Sequence, residues 1–597
     1  MVGGRRGAGR RSLALACLLG GALAACSGPT GERDPAARLN ALFEREWEIR
    51  LAEDPLFATG VGNHEYDDRL PDASAEAQAR RNEIWQGLLD ELHEIDTAAL
   101  TERDRVSYEI FARQLEDRLA GFRFGTWQVP INADSGFHTA LAGLPRQMPF
   151  RTAADYERYV ARLRGFPLYF EQQIAGMREG LARGMTVPRV VLEGYDVTIA
   201  SHVVEDPTES LFWSPFEDLP ETLEAGERER LAAAGRAAIA EAVVPAFRGF
   251  HEFMRDDYVP GARTTLGASE LPDGEAYYRQ RVRHFTTLDV TPEEVHRIGL
   301  EEVARIRAEM QEVIDRVGFR GGFAEFLEFL RTDPRFYPKT AEELLMRASW
   351  LAKRMDAELP ALFKTLPRLP YGVEAVPEHL APKYTAGRYV PPARGSTQPG
   401  YYWVNTHDLR SRTLYTLEAL TLHEAVPGHH LQGALNNELE ELPPFRRYSY
   451  ISAFGEGWGL YSEWLGLEVG FYTDPYSEFG RLTYEMWRAC RLVVDTGIHA
   501  MGWSREQVMD YLAQNTALSL LEVRTETDRY ISWPGQALAY KMGELKIKAL
   551  RAEAERELGP RFDVREFHDA VLLNGSVPLP VLERQIEDYI HAAAATD

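Results

Sequence analysis

Apolar residues recur at three- and four-residue steps through most of this 597-residue chain, and that period limits its folds more than any other feature. Leu39, Leu42, Phe43 and Trp47 set the pattern. It predicts helices within 37–122, broken by a loop between Asp54-Pro55 and Pro71-Asp72, and again over 152–185, 219–258 and 291–317. Further runs cover 408–426, 429–443, 449–470, 476–501, 504–516, 533–556 and 562–573. Thr291-Pro292-Glu293-Glu294 carries a capping residue, a first-turn proline and early acids, as a helix start requires. Strand signal is sparse. Residues 187–199 are one candidate; residues 384–406 read as a hairpin broken by Pro391-Pro392, Gly395 and Pro399-Gly400. The expected class is mainly α: one large helical body with a small β-hairpin or sheet directly before a motif-bearing helix.

The N-terminus reads as an address. Basic residues run through Arg11, an apolar stretch too short to span a bilayer follows, and it ends Leu23-Ala24-Ala25-Cys26. That resembles the lipobox of bacterial lipoproteins, in which the cysteine is lipidated and becomes the first mature residue. The expected organisation is a signal peptide over 1–25, a lipidated tether over 26–36 and a helical domain over 37–597. Ser27 fits outer-membrane sorting, on the periplasmic side, if the host is Gram-negative. Membrane contact is then expected through the anchor alone.

The chain carries 91 acidic against 67 basic residues, a formal net charge of −24, and four of the arginines lie in the signal. Such a surface repels nucleic acid. Of three cysteines, Cys17 lies in the signal and Cys26 at the lipidation site, so Cys490 has no partner for an internal disulfide and is expected buried and inert.

Chemistry concentrates in Leu420-Thr421-Leu422-His423-Glu424-Ala425-Val426-Pro427-Gly428-His429-His430. In the zinc-protease motif H-E-x-x-H, two histidines one turn apart share an ion, with the glutamate as general base. Here Pro427 stands in the second histidine's place. On a straight helix His423 and His430 would lie ~10.5 Å apart along the axis. Proline removes a helix hydrogen bond and glycine admits unusual dihedrals, so a break is expected at Pro427-Gly428, and a break there leaves room for His429 or His430 to return toward His423. Catalytic zinc with two histidines favours a carboxylate third ligand. Glu456, in Phe454-Gly455-Glu456-Gly457-Trp458, is costly to bury unless paired or metal-bound. Glu463, two turns on along the same face, is the alternative as ligand or as a support behind one.

The run His423–His430 with Glu456-Gly457-Trp458 resembles the bacterial family known as domain of unknown function 885, many of whose members are lipoproteins. Asp495-Thr496-Gly497-Ile498-His499 through Trp503 and Asp528-Arg529-Tyr530 through Lys541 are similar too, and the resemblance covers essentially the whole mature chain. The family is similar in plan to the helical gluzincin peptidases of the angiotensin-converting-enzyme and oligopeptidase type, which enclose their site in a deep central groove. The resemblance implies a metal-dependent peptidase binding one zinc ion, with His429 rather than His430 as second ligand. This chain departs from the gluzincin pattern at Pro427 and at Leu460, where an aspartate is expected.

In such a site Glu424 is the expected general base. By resemblance, Tyr540, Tyr530 and then His499 are candidates for steadying the developing oxyanion. Asp495, four residues from His499, is placed to orient its imidazole. Arg529 and Lys541 are candidates for a substrate carboxylate. The strand end containing Tyr402 and Asn405 is a candidate edge for an extended substrate backbone. The leading expectation is a zinc peptidase acting on short peptides outside the cytoplasm. The alternatives are hydrolysis of cell-wall-derived amides, or a non-catalytic metal-containing envelope lipoprotein.

Overall fold

The computed structural model describes residues 34–133, 135–378, 380–392 and 398–595. The signal segment, Cys26 and most of the tether lie outside the described residues. Helix Pro35–Glu53 opens two residues before the expected 37, because Asp34 accepts from the Ala36 amide and Pro35 occupies the first turn, where no amide hydrogen is needed. The start read at Thr291 is a full capping box: Thr291 Oγ1 accepts from the Glu294 amide, and Glu294 Oε2 from the Thr291 amide at 2.8 Å. That helix, Pro292–Val317, ends at Gly318 in the left-handed region, φ 69°.

One hydrophobic cluster runs from Leu39 to Ile590, so the helices of both chain halves share a core and form a single body. At its centre three long helices, Pro292–Val317, Pro475–Met501 and Ala539–Leu558, are joined by a buried charge cluster. Lys541 Nζ lies 2.9 Å from Glu302 and Glu485 and 2.5 Å from Glu544. No helix among the described residues is long and apolar enough to cross a membrane.

A three-stranded sheet precedes the motif helix: β1 (Tyr371–Ala375), β2 (Gly387–Val390) and β3 (Gly400–Val404), in the order β1-β3-β2. β2 and β3 are the expected antiparallel hairpin, with Tyr389 opposite Tyr402; β1 joins parallel to β3. β3 is therefore the central strand, and Tyr402 is wholly buried. The available edge nearest the motif helix is β2. Residues 187–199 are not a strand. Arg189–Leu192 and Val197–Ala200 are short helical turns, separated by Gly194 at φ 71°. There β-branched composition is overridden by local turn chemistry.

Candidate metal centre

The motif helix, Leu417–Glu424, is buried on every side. The chain leaves it at Ala425, passes a cis Val426–Pro427 bond and restarts as a helix at His429. Trp458 Nε1 donates to the Pro427 carbonyl at 2.8 Å, and the His430 amide to the Ala425 carbonyl at 3.1 Å, so both sides of the break are held. Gly428 is obligatory. A Cβ there would sit 1.9 Å from the His423 carbonyl oxygen.

This turn separates the two neighbouring histidines. His429 comes back against His423, ring centroids 4.7 Å apart and planes perpendicular. His430 points away. Its Nδ1 meets Tyr389 Oη at 3.2 Å and its Nε2 the Leu369 carbonyl at 3.1 Å, and burial pushes its pKa down to about 4. A neutral His430 is thus a structural pin between the sheet and the second motif helix.

Helix Ser452–Leu465 supplies the carboxylates. Glu456 Oε2 lies 3.3 Å from His429 Nε2 and 3.7 Å from His423 Nε2. One ligand atom from each of the three residues falls within 4.8 Å of the others. Glu463, the alternative ligand, stands on the far side of the same imidazole. Its Oε1 accepts from His423 Nδ1 at 2.8 Å and lies 3.3 Å from Arg488 Nη2. His423 reaches this position because residue 459 is glycine; a Cβ there would lie 2.7 Å from its Cε1.

The histidines and Glu456 act on one another's charge. Burial opposes a charge on His423, yet Glu456 and Glu463 push its pKa up to about 10. Burial works against ionised Glu456 too, but hydrogen bonds to the two histidines hold it well below the usual carboxylate range. The two shifts are reciprocal: the carboxylates favour charge on His423, and the histidines favour charge on Glu456.

Glu424 is buried beside His423, and its Oε2 accepts from the Tyr389 amide at 2.8 Å, tying the motif helix to the outer edge of β2. The Tyr540 ring lies 6.4 Å from that of His423 and nearly parallel to it, with the Arg491 guanidinium 4.3 Å over its centroid. Tyr450 was not read from the sequence. Its hydroxyl lies beside Glu456, and burial first, then that carboxylate, hold its proton well above the ordinary tyrosine range. Tyr450 is 57% exposed, with its ring packed against Gly455. The only sequence signal is an aromatic six residues before Glu456.

Several expected site residues lie elsewhere. Tyr530 is buried, its hydroxyl accepting from Trp487 Nε1 and Arg491 Nε. His499 is buried and neutral, its pKa pushed down to about 3 by burial, with both ring nitrogens spent on the Ala268 amide and the Tyr530 carbonyl. Asp495 does not orient it; it accepts from Tyr278 Oη at 2.6 Å and the Gly535 amide. Lys541 is fully buried among its three glutamates, so it cannot meet a substrate carboxylate. Arg529 is engaged by Gln536 at 3.1 Å and Glu526 at 3.5 Å. Asn405 is buried, its Nδ2 donating to the carbonyls of Ala381, Tyr384 and Thr385, so it fastens a loop. Tyr402, on the central strand, faces the core.

The sequence model of a family described as "Bacterial protein of unknown function (DUF885)" matches residues 55–586. A solved structure of a candidate lipoprotein from Colwellia psychrerythraea is similar at 29% identity, covering 94% of this chain and 100% of that one, with a TM-score of 0.87. A second, from Shewanella oneidensis and also described as a candidate lipoprotein of unknown function, covers 93% of this chain and 100% of its own. Its TM-score is 0.69 and its identity 18%, a likeness of fold alone. No curated protein matches the chain.

Proposed function

The chain belongs to the bacterial DUF885 family, and from that premise we propose that it is a zinc-dependent hydrolase of short peptides, tethered to the cell envelope through Cys26. The convergence of His423, His429 and Glu456 carries this reading. Ligands ~2.0–2.1 Å from a tetrahedral ion stand roughly 3.3–3.4 Å apart, and Glu456 Oε2 lies 3.3 and 3.7 Å from the two imidazole nitrogens. The donor set, two imidazoles and one carboxylate, is one that catalytic zinc uses with a fourth position left for water. A zinc ion held there would supply Lewis acidity and make a bound water acidic near neutral pH.

The chain's own residues account for the rest. Glu424 Oε2 is fixed by the Tyr389 amide, which leaves Oε1 to take a proton from water and return it to a departing amine. The Tyr450 hydroxyl, beside Glu456, and Tyr540, stacked near His423, are the candidate donors to the developing oxyanion. An extended peptide would lie along β2, the strand edge next to Glu424. The lipobox and the lipoprotein descriptions of the similar structures support an extracytoplasmic, lipid-anchored location, on the periplasmic face of the outer membrane in a Gram-negative host.

The test is metal analysis of the mature protein together with a peptide library read by mass spectrometry. One equivalent of zinc is expected, with cleavage reduced at least ~100-fold in Glu424→Gln while the zinc is retained. Failure to hold any divalent metal under zinc loading overturns the metal site. Zinc without turnover of peptides or cell-wall amides overturns the hydrolase reading.

A further inference from the structure

Away from the metal cluster the protein has an open-mouthed cavity of about 560 Å³, within the range of small-molecule sites. None of the three candidate ligands lines it. Met185, Val187, Tyr277 and Ile531 give it an apolar wall, with Trp533 beside them, and the principal charge on its surface is Arg263.

Arg263 is unusual in this acid-rich chain. Its Nε donates to the Thr186 carbonyl, its Nη1 to those of Thr265 and Gly267, and its Nη2 to that of Leu266, all between 2.9 and 3.2 Å. Every acceptor is neutral, one Nη2 hydrogen is left over, and no carboxylate among the described residues comes within ion-pair distance. Glu270 adds attraction from farther off but is spent on the Gly267 amide at 3.2 Å. Burial accordingly lowers the Arg263 pKa, to about 10. A partly buried cation whose side-chain hydrogen bonds all go to neutral carbonyls, on the wall of a mostly apolar cavity, is complementary to one chemical class.

We propose that this cavity is a second ligand site, which binds a small carboxylate with an apolar body, its carboxylate at Arg263 and its body against Met185, Val187, Tyr277 and Ile531. Free acyl or aryl acids and peptide C-termini share that chemistry. The site does not depend on the hydrolase reading. It is nevertheless joined to the metal cluster by chain: Ile531–Pro534 leads directly into the helix bearing Tyr540.

Calorimetric titration of the full mature protein with N-acetyl-phenylalanine, its amide and octanoate tests this. The two acids should bind saturably, and N-acetyl-phenylalanine at least tenfold more tightly than its amide; the tighter of the two acids identifies the peptide or the acyl source. Arg263→Gln should abolish the acid preference. Because that side chain also ties four carbonyls, Ala140→Trp, at the exposed cavity rim, is the second variant. It should weaken acid binding at least tenfold with zinc content unchanged. Absence of saturable binding, equal affinity for acid and amide, or wild-type affinity in Ala140→Trp would each overturn the proposal.

Discussion

His423 Nδ1 lies 2.8 Å from Glu463 Oε1, both groups buried, with Arg488 3.3 Å from the same oxygen. The carboxylate holds the ring hydrogen on Nδ1 and turns Nε2 toward Glu456 and His429, where it would offer its lone pair to a metal. Arg488 supplies a positive charge beside Glu463 in this buried position. Glu463→Gln should therefore weaken zinc binding about 10–100-fold while one equivalent still binds at saturation. Competition against a chelator of known affinity reads this directly; unchanged affinity would show that His423 needs no orienting partner.

Gly459→Ala sets helix propensity against packing. In a helix interior the change ordinarily gains about 1 kcal/mol. Here the new Cβ would stand 2.7–2.8 Å from Cε1 and Nε2 of His423, and that ring is pinned by Glu463. The expected outcome is a loss of roughly 1–3 kcal/mol together with loss of zinc, measured by urea unfolding and metal analysis. Gly249→Ala, on an exposed helix position with open space around it, is the control and should stabilise.

Local features were legible in the chain. The Thr291 cap and the Pro427-Gly428 break are local and produced the elements expected of them, whereas the apolar spacing missed the helices Leu520–Ser532 and Leu579–Ala595 and overextended the run over 408–426, of which only Leu417–Glu424 is α-helix. β1 escaped because its burial does not alternate and its pairing with β3 is parallel, across more than twenty residues. The choice between His429 and His430 could not come from spacing. It depends on the backbone turn through Ala425–Gly428 and on distant anchors, Trp458 for the break and Tyr389 for His430. Lys541, Arg529, Asn405 and Tyr402 misled for one reason. Their partners or their strand position come from remote segments, and a local motif does not reveal whether a charge already has its counter-ion.

Lys541 is a case where removal should be severe. Its ammonium is wholly buried and serves Glu302, Glu485 and Glu544 at once. Arg305 and Arg481 also contact Glu485 and compensate only part of the charge. Lys541→Met leaves buried carboxylates in excess and should cost about 3–5 kcal/mol, as breaking a buried pair does. The zinc affinity of the folded fraction should be unchanged, because none of these groups touches the cluster. A stable variant with a selectively raised KM for peptides bearing a free C-terminus would restore the substrate-binding role instead.

Asp495 links stability to pH. It is fully buried, and that burial pushes its pKa up to about 7, although the Tyr278 hydroxyl and the Gly535 amide both favour its charged form. An unfolded aspartate titrates near about 3.9, so the native state binds this proton more tightly. The stability it contributes is fully present below the unfolded value and is lost as pH rises through about 7. Asp495→Asn keeps an oxygen to accept from Tyr278 and Gly535 but never charges. Its unfolding midpoint should exceed that of the wild type by a few degrees at about pH 8, with the gap closing toward about pH 5. Other carboxylates titrate alike in both proteins and cancel in the difference. A gap that stays constant from pH 5 to pH 8 would mean that Asp495 is already ionised, and stabilised as such, in the native core.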